Sequence, residues 1–135
     1  TASLLSACSS GDSAPDTEIQ MAPLAQMPMA MQQAPVTVRE AYQFAVANPD
    51  AVKNVPCYCG CGAVGHTSNY SCYVDEAASS STTVFDQHAL GCSICVDITQ
   101  DVMKMTGQGK SAQEIRTAID ETFSQYGPSN MPPAQ

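Results

Sequence analysis

The run Pro56-Cys57-Tyr58-Cys59-Gly60-Cys61-Gly62 carries a thiol at every second position. The later segment His88-Ala89-Leu90-Gly91-Cys92-Ser93-Ile94-Cys95 adds two more thiols and an imidazole. In an extended segment, side chains alternate between faces, so Cys57, Cys59 and Cys61 can point the same way. Neighbours two apart are separated by roughly 6.5–7 Å at Cα, at or beyond the edge of disulfide geometry, so they need partners elsewhere or one shared centre. Cys92 and Cys95 are at helical spacing and share a face. His88, four residues before Cys92, joins that face if the helix begins early, a continuation that Gly91 works against.

Two chemistries use sulfur at this density. Thiolates with imidazole suit copper(I) and zinc, and thiolates alone suit iron–sulfur clusters. Copper(I) accepts two or three sulfurs, and bridging thiolates let several ions share few cysteines, so copper is the first expectation, zinc the alternative, and an iron–sulfur cluster the third. Cys57, Cys59, Cys61, Cys92 and Cys95 are the expected thiolate ligands, with His88 and Cys72 completing or adjusting the site. Covalent haem attachment is excluded, because the residue after Cys95 is Val96. The rival chemistry is structural. Six cysteines in an oxidising compartment form three disulfides in any of fifteen connectivities. A domain that builds its own helices does not need three staples, and crowding them in one run wastes them, so the metal reading leads. A redox dithiol at Cys92 and Cys95 is a third possibility, without the strand–helix alternation that such motifs keep.

The remaining candidates are weaker. His66 follows Gly65 in a loop and reads as solvent-facing. Met103 and Met105 end the second helix, with core packing expected for one of them, and Asp75, Glu76, Asp86, Asp97 and Asp101 show no pairing that demands acid–base work and read as solvated.

The chain has 135 residues, is 44% hydrophobic, lacks Trp and is only 6% aromatic, which predicts one domain with a small aliphatic core. A net charge of −8 with five Lys plus Arg argues against nucleic acid and against a polybasic attachment to anionic lipid. The opening Leu5-Ser6-Ala7-Cys8 resembles a bacterial lipobox, which implies lipidation at Cys8 and an extracytoplasmic location on a bacterial membrane, with lipid as the anchor.

The elements that position the thiols follow from periodicity. Residues 1–8 read as the end of a lipoprotein signal and residues 9–35 as a Pro- and Met-rich flexible linker, in which Met21, Met27, Met29 and Met31 are linker residues before they are copper ligands. A first helix starts at Thr37, where Thr37 and Glu40 form a capping-box pattern, and ends at Asn48-Pro49-Asp50. Residues 56–75 read as loop and 76–83 as a small-residue connector. A second helix runs from about Gly91 to Met105 with Ile94, Ile98 and Val102 on its apolar stripe. A third starts at the Ser111/Glu114 capping box and buries Ile115, Ile119 and Phe123. The expected fold is therefore mainly α, a small three-helix domain over 36–127 with an irregular Cys-rich loop, a disordered linker before it and a flexible tail at 128–135.

The string Pro56 to Gly62 matches, letter for letter, the signature of the PCYCGC-motif family, and His88…Gly91-Cys92-Ser93-Ile94-Cys95-Val96-Asp97 is similar to that family's second cysteine block. The resemblance covers roughly residues 36–126. It implies a secreted, lipidated bacterial protein with a metal site, and it supplies no activity. The sequence therefore points to a membrane-anchored metal carrier, buffer or accessory to a membrane metalloenzyme. The alternatives are a disulfide-stapled subunit of an envelope complex or surface filament, and a thiol–disulfide oxidoreductase.

Overall fold

A computed structural model describes residues 16–135; the lipobox and Cys8 lie outside the described residues. Five helices form the frame: α1 (Met29–Gln32), α2 (Val36–Ala47), α3 (Pro49–Lys53), α4 (Ser93–Gly107) and α5 (Ala112–Phe123). Among the described residues there is no strand, and no helix is long and apolar enough to cross a membrane.

Each boundary has a local cause. Helix α2 starts one residue before the expected Thr37, because Pro35 takes the N-cap and fixes the entry; Thr37 is already inside the first turn, and the expected capping box does not form. Pro49 ends α2 and opens α3 at the N1 position, where its missing N–H costs nothing. The residues directly after α2 thus form a short helix. Helix α5 keeps the expected cap: the Ser111 hydroxyl accepts from the Glu114 backbone N–H, and the Glu114 carboxylate accepts from that of Ser111. The Ile98 and Val102 stripe of α4 is buried, as are Ile115, Ile119 and Phe123 of α5.

Helix α4 lies between α2 and α5, and the core fills from all three: Ala41, Phe44 and Ala45 from α2, Ile98 and Val102 from α4, Ile119 from α5. It is more aromatic than the composition suggested. Tyr42, Phe44, Tyr58, Tyr70, Tyr73 and Phe123 are all buried, so few aromatics are present but most are spent inside. The rings of Tyr42 and Tyr73 meet edge to face at 4.9 Å.

Residues 16–35 lie against the helices. Backbone bonds run from Thr17 N to Gly107 O and from Ala22 N to Gln43 O, and the Asn48 amide reaches Gln20 O. Met27 and Met31 are buried in the core while Met29 is exposed, so the thioethers are not gathered at one point. Prolines limit regular structure here to a 3-10 turn at Leu24–Gln26 and the four-residue α1, and buried apolar side chains dock the segment. The 128–135 tail, expected to be free, is also tied down: Arg116 donates to Pro132 O at 2.8 Å, and Asn130 enters the cysteine loop.

The capping box predicts a measurable contribution. Ser111→Ala should lower stability by about 1 kcal/mol, read as a shift in denaturant midpoint at unchanged slope; no shift would mean that α5 is held by packing alone.

Candidate metal centre

The loop that carries the first three thiols is fixed at both ends. Val55 and Pro56 are buried, and Val55 O accepts from Asn69 N at 2.9 Å. Gly60 adopts φ +85°, a left-handed conformation that costs glycine least, and turns the chain into a 3-10 turn at Cys61–Val64. Tyr58 leaves the thiol face and donates its hydroxyl to Asp120 Oδ1 at 2.6 Å, while Arg116 holds the same carboxylate. Burial first, then this hydrogen bond to Asp120, pushes the Tyr58 hydroxyl up to about 12, so it stays a donor at any ordinary pH.

The other thiols and His88 come from three further elements. Cys72 sits in the 3-10 turn Tyr70–Cys72. A two-bond clamp, Asp75 N to Val84 O and Asp86 N to Tyr73 O, pairs Val74 with Phe85 and closes the small-residue connector. That clamp delivers His88, which lies in its own 3-10 turn, His88–Leu90, not on α4 as the four-residue spacing allowed; Gly91 separates the two. Cys92 is the N-cap of α4 and Cys95 lies in its first turn. The Cys95 carbonyl accepts from the Tyr73 hydroxyl at 2.9 Å and from Thr99 Oγ1 at 3.1 Å, which pins the start of the helix under the cluster.

These elements bring all six sulfurs together, with Cys95 Sγ at the hub. Cys57 Sγ lies 3.0 Å from it, Cys72 and Cys92 Sγ at 3.1 Å, and Cys59 Sγ at 3.7 Å. Cys57 and Cys59 are 3.3 Å apart, and Cys61 and Cys72 are 3.8 Å apart. His88 Nε2 approaches Cys59 Sγ at 3.5 Å. Among the described residues no cysteines are bonded to each other; an S–S bond spans about 2.05 Å. The donors form groups able to hold a metal ion: Cys59, His88, Cys92 and Cys95; Cys61, His66, Cys72 and His88; and two triplets through Cys57. Cys57, Cys61, Cys72 and Cys95 are buried, and Cys59, Cys92 and His88 are partly exposed, so the cluster has an inner and an outer side. Six sulfurs and two imidazoles with no carboxylate among them form a soft donor set, which fits copper(I) or zinc and not a hard cation.

Two residues read from the sequence as bystanders belong to the site. His66 Nδ1 lies 3.6 Å from Cys72 Sγ, and Asp86 contacts both histidines. Neither had a periodic or spacing signal, because both arrive by loop closure. Asn130 was also missed. Its Oδ1 accepts from Cys57 N at 2.7 Å, its Nδ2 donates to His66 O and Ser68 O and lies 3.6 Å from Cys61 Sγ, and its N bonds Cys57 O. The tail passes so close here that a Cβ on Gly127 would stand 2.7 Å from Tyr58 O.

Proximity spreads the thiol acidities. Hydrogen bonding from Cys57 and then Cys95 holds the Cys92 thiol far below its usual range, and the bonds from Cys57 and Cys72 do the same for Cys61. Hydrogen bonds with Cys61, then Cys72 and Cys92, push Cys57 up, and those with Cys57, then Cys61, Cys72 and Cys92, do the same for Cys95. Burial pushes Cys59 up to about 11. Metal-free reduced protein should therefore alkylate at Cys92 first at neutral pH, at a rate flat with pH. Cys59, also partly exposed, should react slowly and speed up about tenfold per pH unit toward 11. Peptide mapping of briefly alkylated protein reads the order, and equal labelling of the two would contradict it. Asn130→Ala should raise the alkylation rates of Cys57 and Cys61 and cost about 1–3 kcal/mol through the unpaired Cys57 N–H.

A family model described as a protein of unknown function with the PCYCGC motif matches residues 2–134. No curated protein and no solved structure matches the chain.

Proposed function

We propose that this chain, which belongs to the family of PCYCGC-motif proteins of unknown function, binds copper(I) in its cysteine–histidine cluster and acts as a carrier, buffer or accessory to a membrane metalloenzyme. The observation that carries the reading is the environment of Cys95. Its sulfur has three thiol neighbours at nearly one distance, 3.0, 3.1 and 3.1 Å. A disulfide chooses one partner, whereas a thiolate ligand shares one centre with several. The soft donor set favours copper(I), which tolerates low coordination and bridging sulfur, with zinc as the alternative. The graded burial suits exchange: the partly exposed Cys59, Cys92 and His88 can receive or hand on an ion while the buried thiols hold the frame. The lipobox-like Leu5-Ser6-Ala7-Cys8 supports attachment to the outer side of a bacterial membrane through lipid on Cys8, and the acidic chain, at −8, favours a basic or metal-bearing partner over nucleic acid.

One observation favours a second reading. Cys92 caps the start of α4, is partly exposed and is biased to thiolate, while Cys95 behind it is buried and biased to thiol. That asymmetry is what a thiol–disulfide oxidoreductase uses.

Elemental analysis of anaerobically purified native protein, with thiols counted on the same sample, separates these. The copper reading expects copper at one or more per chain and cysteines that alkylate only after metal removal. Metal-free protein with a Cys92–Cys95 bond would favour the oxidoreductase. Metal-free protein without free thiols would make the chain a disulfide-stapled subunit of an envelope complex. In the copper reading, Cys95→Ser should lose more metal than Cys92→Ser, since Cys95 adjoins four other sulfurs.

A further inference from the structure

One ion cannot use what the cluster offers. A soft cation in four-coordination takes four donors at about 2.0–2.3 Å, while six sulfurs and two imidazoles converge here. They divide. Cys59, Cys92, Cys95 and His88 form one group, and Cys61, Cys72 and His66 form another, with His88 within reach of both. In each group some separations match the donor spacing around one ion, while Cys92 and Cys95, at 3.1 Å, stand closer than that spacing. In the first, Cys59 lies 3.7 Å from Cys95 and 3.5 Å from His88; in the second, Cys72 lies 3.8 Å from Cys61 and 3.6 Å from His66. A tetrahedron with bonds of about 2.3 Å has edges of about 3.8 Å. Cys57 and Cys95, 3.0 Å apart, stand between the groups, and Cys95 is 3.1 Å from Cys72. They occupy the place of bridging thiolates.

The second group carries its own orienting carboxylate. His66 turns Nδ1 to Cys72 and sets Nε2 3.4 Å from Asp86 Oδ2. Metal-binding histidines characteristically use the far nitrogen in this way, which fixes tautomer and ring. The other oxygen of Asp86 accepts the backbone N–H of His88 at 2.7 Å, so a single carboxylate ties the His66 ring to the His88 backbone, and the two imidazole rings meet edge to face at 4.9 Å. Asp86 is itself immobilised: its backbone O accepts from the Tyr42 hydroxyl and its N donates to Tyr73 O. A cavity of about 540 Å³, lined by His66, Ser71, Asp75, Glu76 and Asp86, opens onto this side.

We infer a second metal position, made by Cys61, Cys72 and His66, joined to the first through the thiolates of Cys57 and Cys95, with Asp86 as the positioning residue for both histidines and the carboxylate-lined cavity as its opening. It takes the same soft cation as the first position and rests on the metal-binding reading above.

The test is an anaerobic titration of the reduced full chain with copper(I) against a chromogenic copper(I) chelator, with metal content measured after desalting. Wild type should hold at least two ions. Cys61→Ser with Cys72→Ser should hold at least one fewer and still retain copper. His66→Gln, with far-UV circular dichroism unchanged, should bind its last ion at least tenfold more weakly. Asp86→Asn should keep the count and weaken that ion by about 10–100-fold. A wild-type count of one overturns the second position and leaves the metal-binding reading standing. A count of zero overturns both. If the double cysteine variant fails to fold, the wild-type count and His66→Gln decide; unchanged last-ion affinity in His66→Gln overturns the assignment.

Discussion

Six sulfurs held in contact define what the rest of this molecule must do. As thiolates they repel one another, and as thiols they gain little from such crowding, so the arrangement persists only where a rigid surround opposes its spreading or a cation balances it. The surround is visible on every side of Cys95. Its own carbonyl is gripped by Tyr73 and Thr99, and the Cys57 backbone is gripped by Asn130 at both N and O. The Tyr42–Asp86 and Asp86–Tyr73 bonds hold the histidine-bearing turn against the same core. The helices supply few ligands; they supply fixed points from which loops converge.

This division explains what the sequence disclosed and what it did not. Helices α4 and α5 were legible because their apolar stripes and the Ser111–Glu114 cap are local patterns, written within a few residues. Alternation and helical spacing, which are also local, pointed to Cys57, Cys59, Cys61, Cys92 and Cys95, although the left-handed Gly60 and the 3-10 turn at Cys61 place that thiol by a turn and not by an extended strand. Cys72 was included on residue type alone, and the 3-10 turn that aims it left no periodic trace.

His66, Asp86 and Asn130 were not legible, and for one physical reason. Each reaches the cluster through a closure between distant segments: Val74 against Phe85 for Asp86, and the passage of Gly127 past Tyr58 for Asn130. Such closures depend on tertiary packing that composition and spacing do not encode. The aromatic core was misjudged for a related reason. A count of rings says how many exist, not that Tyr42 and Tyr73 are both wholly enclosed beneath the cluster.

The clamp at Asn130 bears on the order of events during synthesis. A chain emerges from its N-terminus first, at about 5–20 residues per second. All six clustered cysteines, from Cys57 to Cys95, are therefore made before the residue that pins Cys57, and before the Arg116–Asp120 pair that anchors Tyr58. For that interval the thiols lack the clamp that the folded protein places on Cys57. The lock is made after the thiols it holds, so a partly made chain is chemically more vulnerable than one that has reached Asn130.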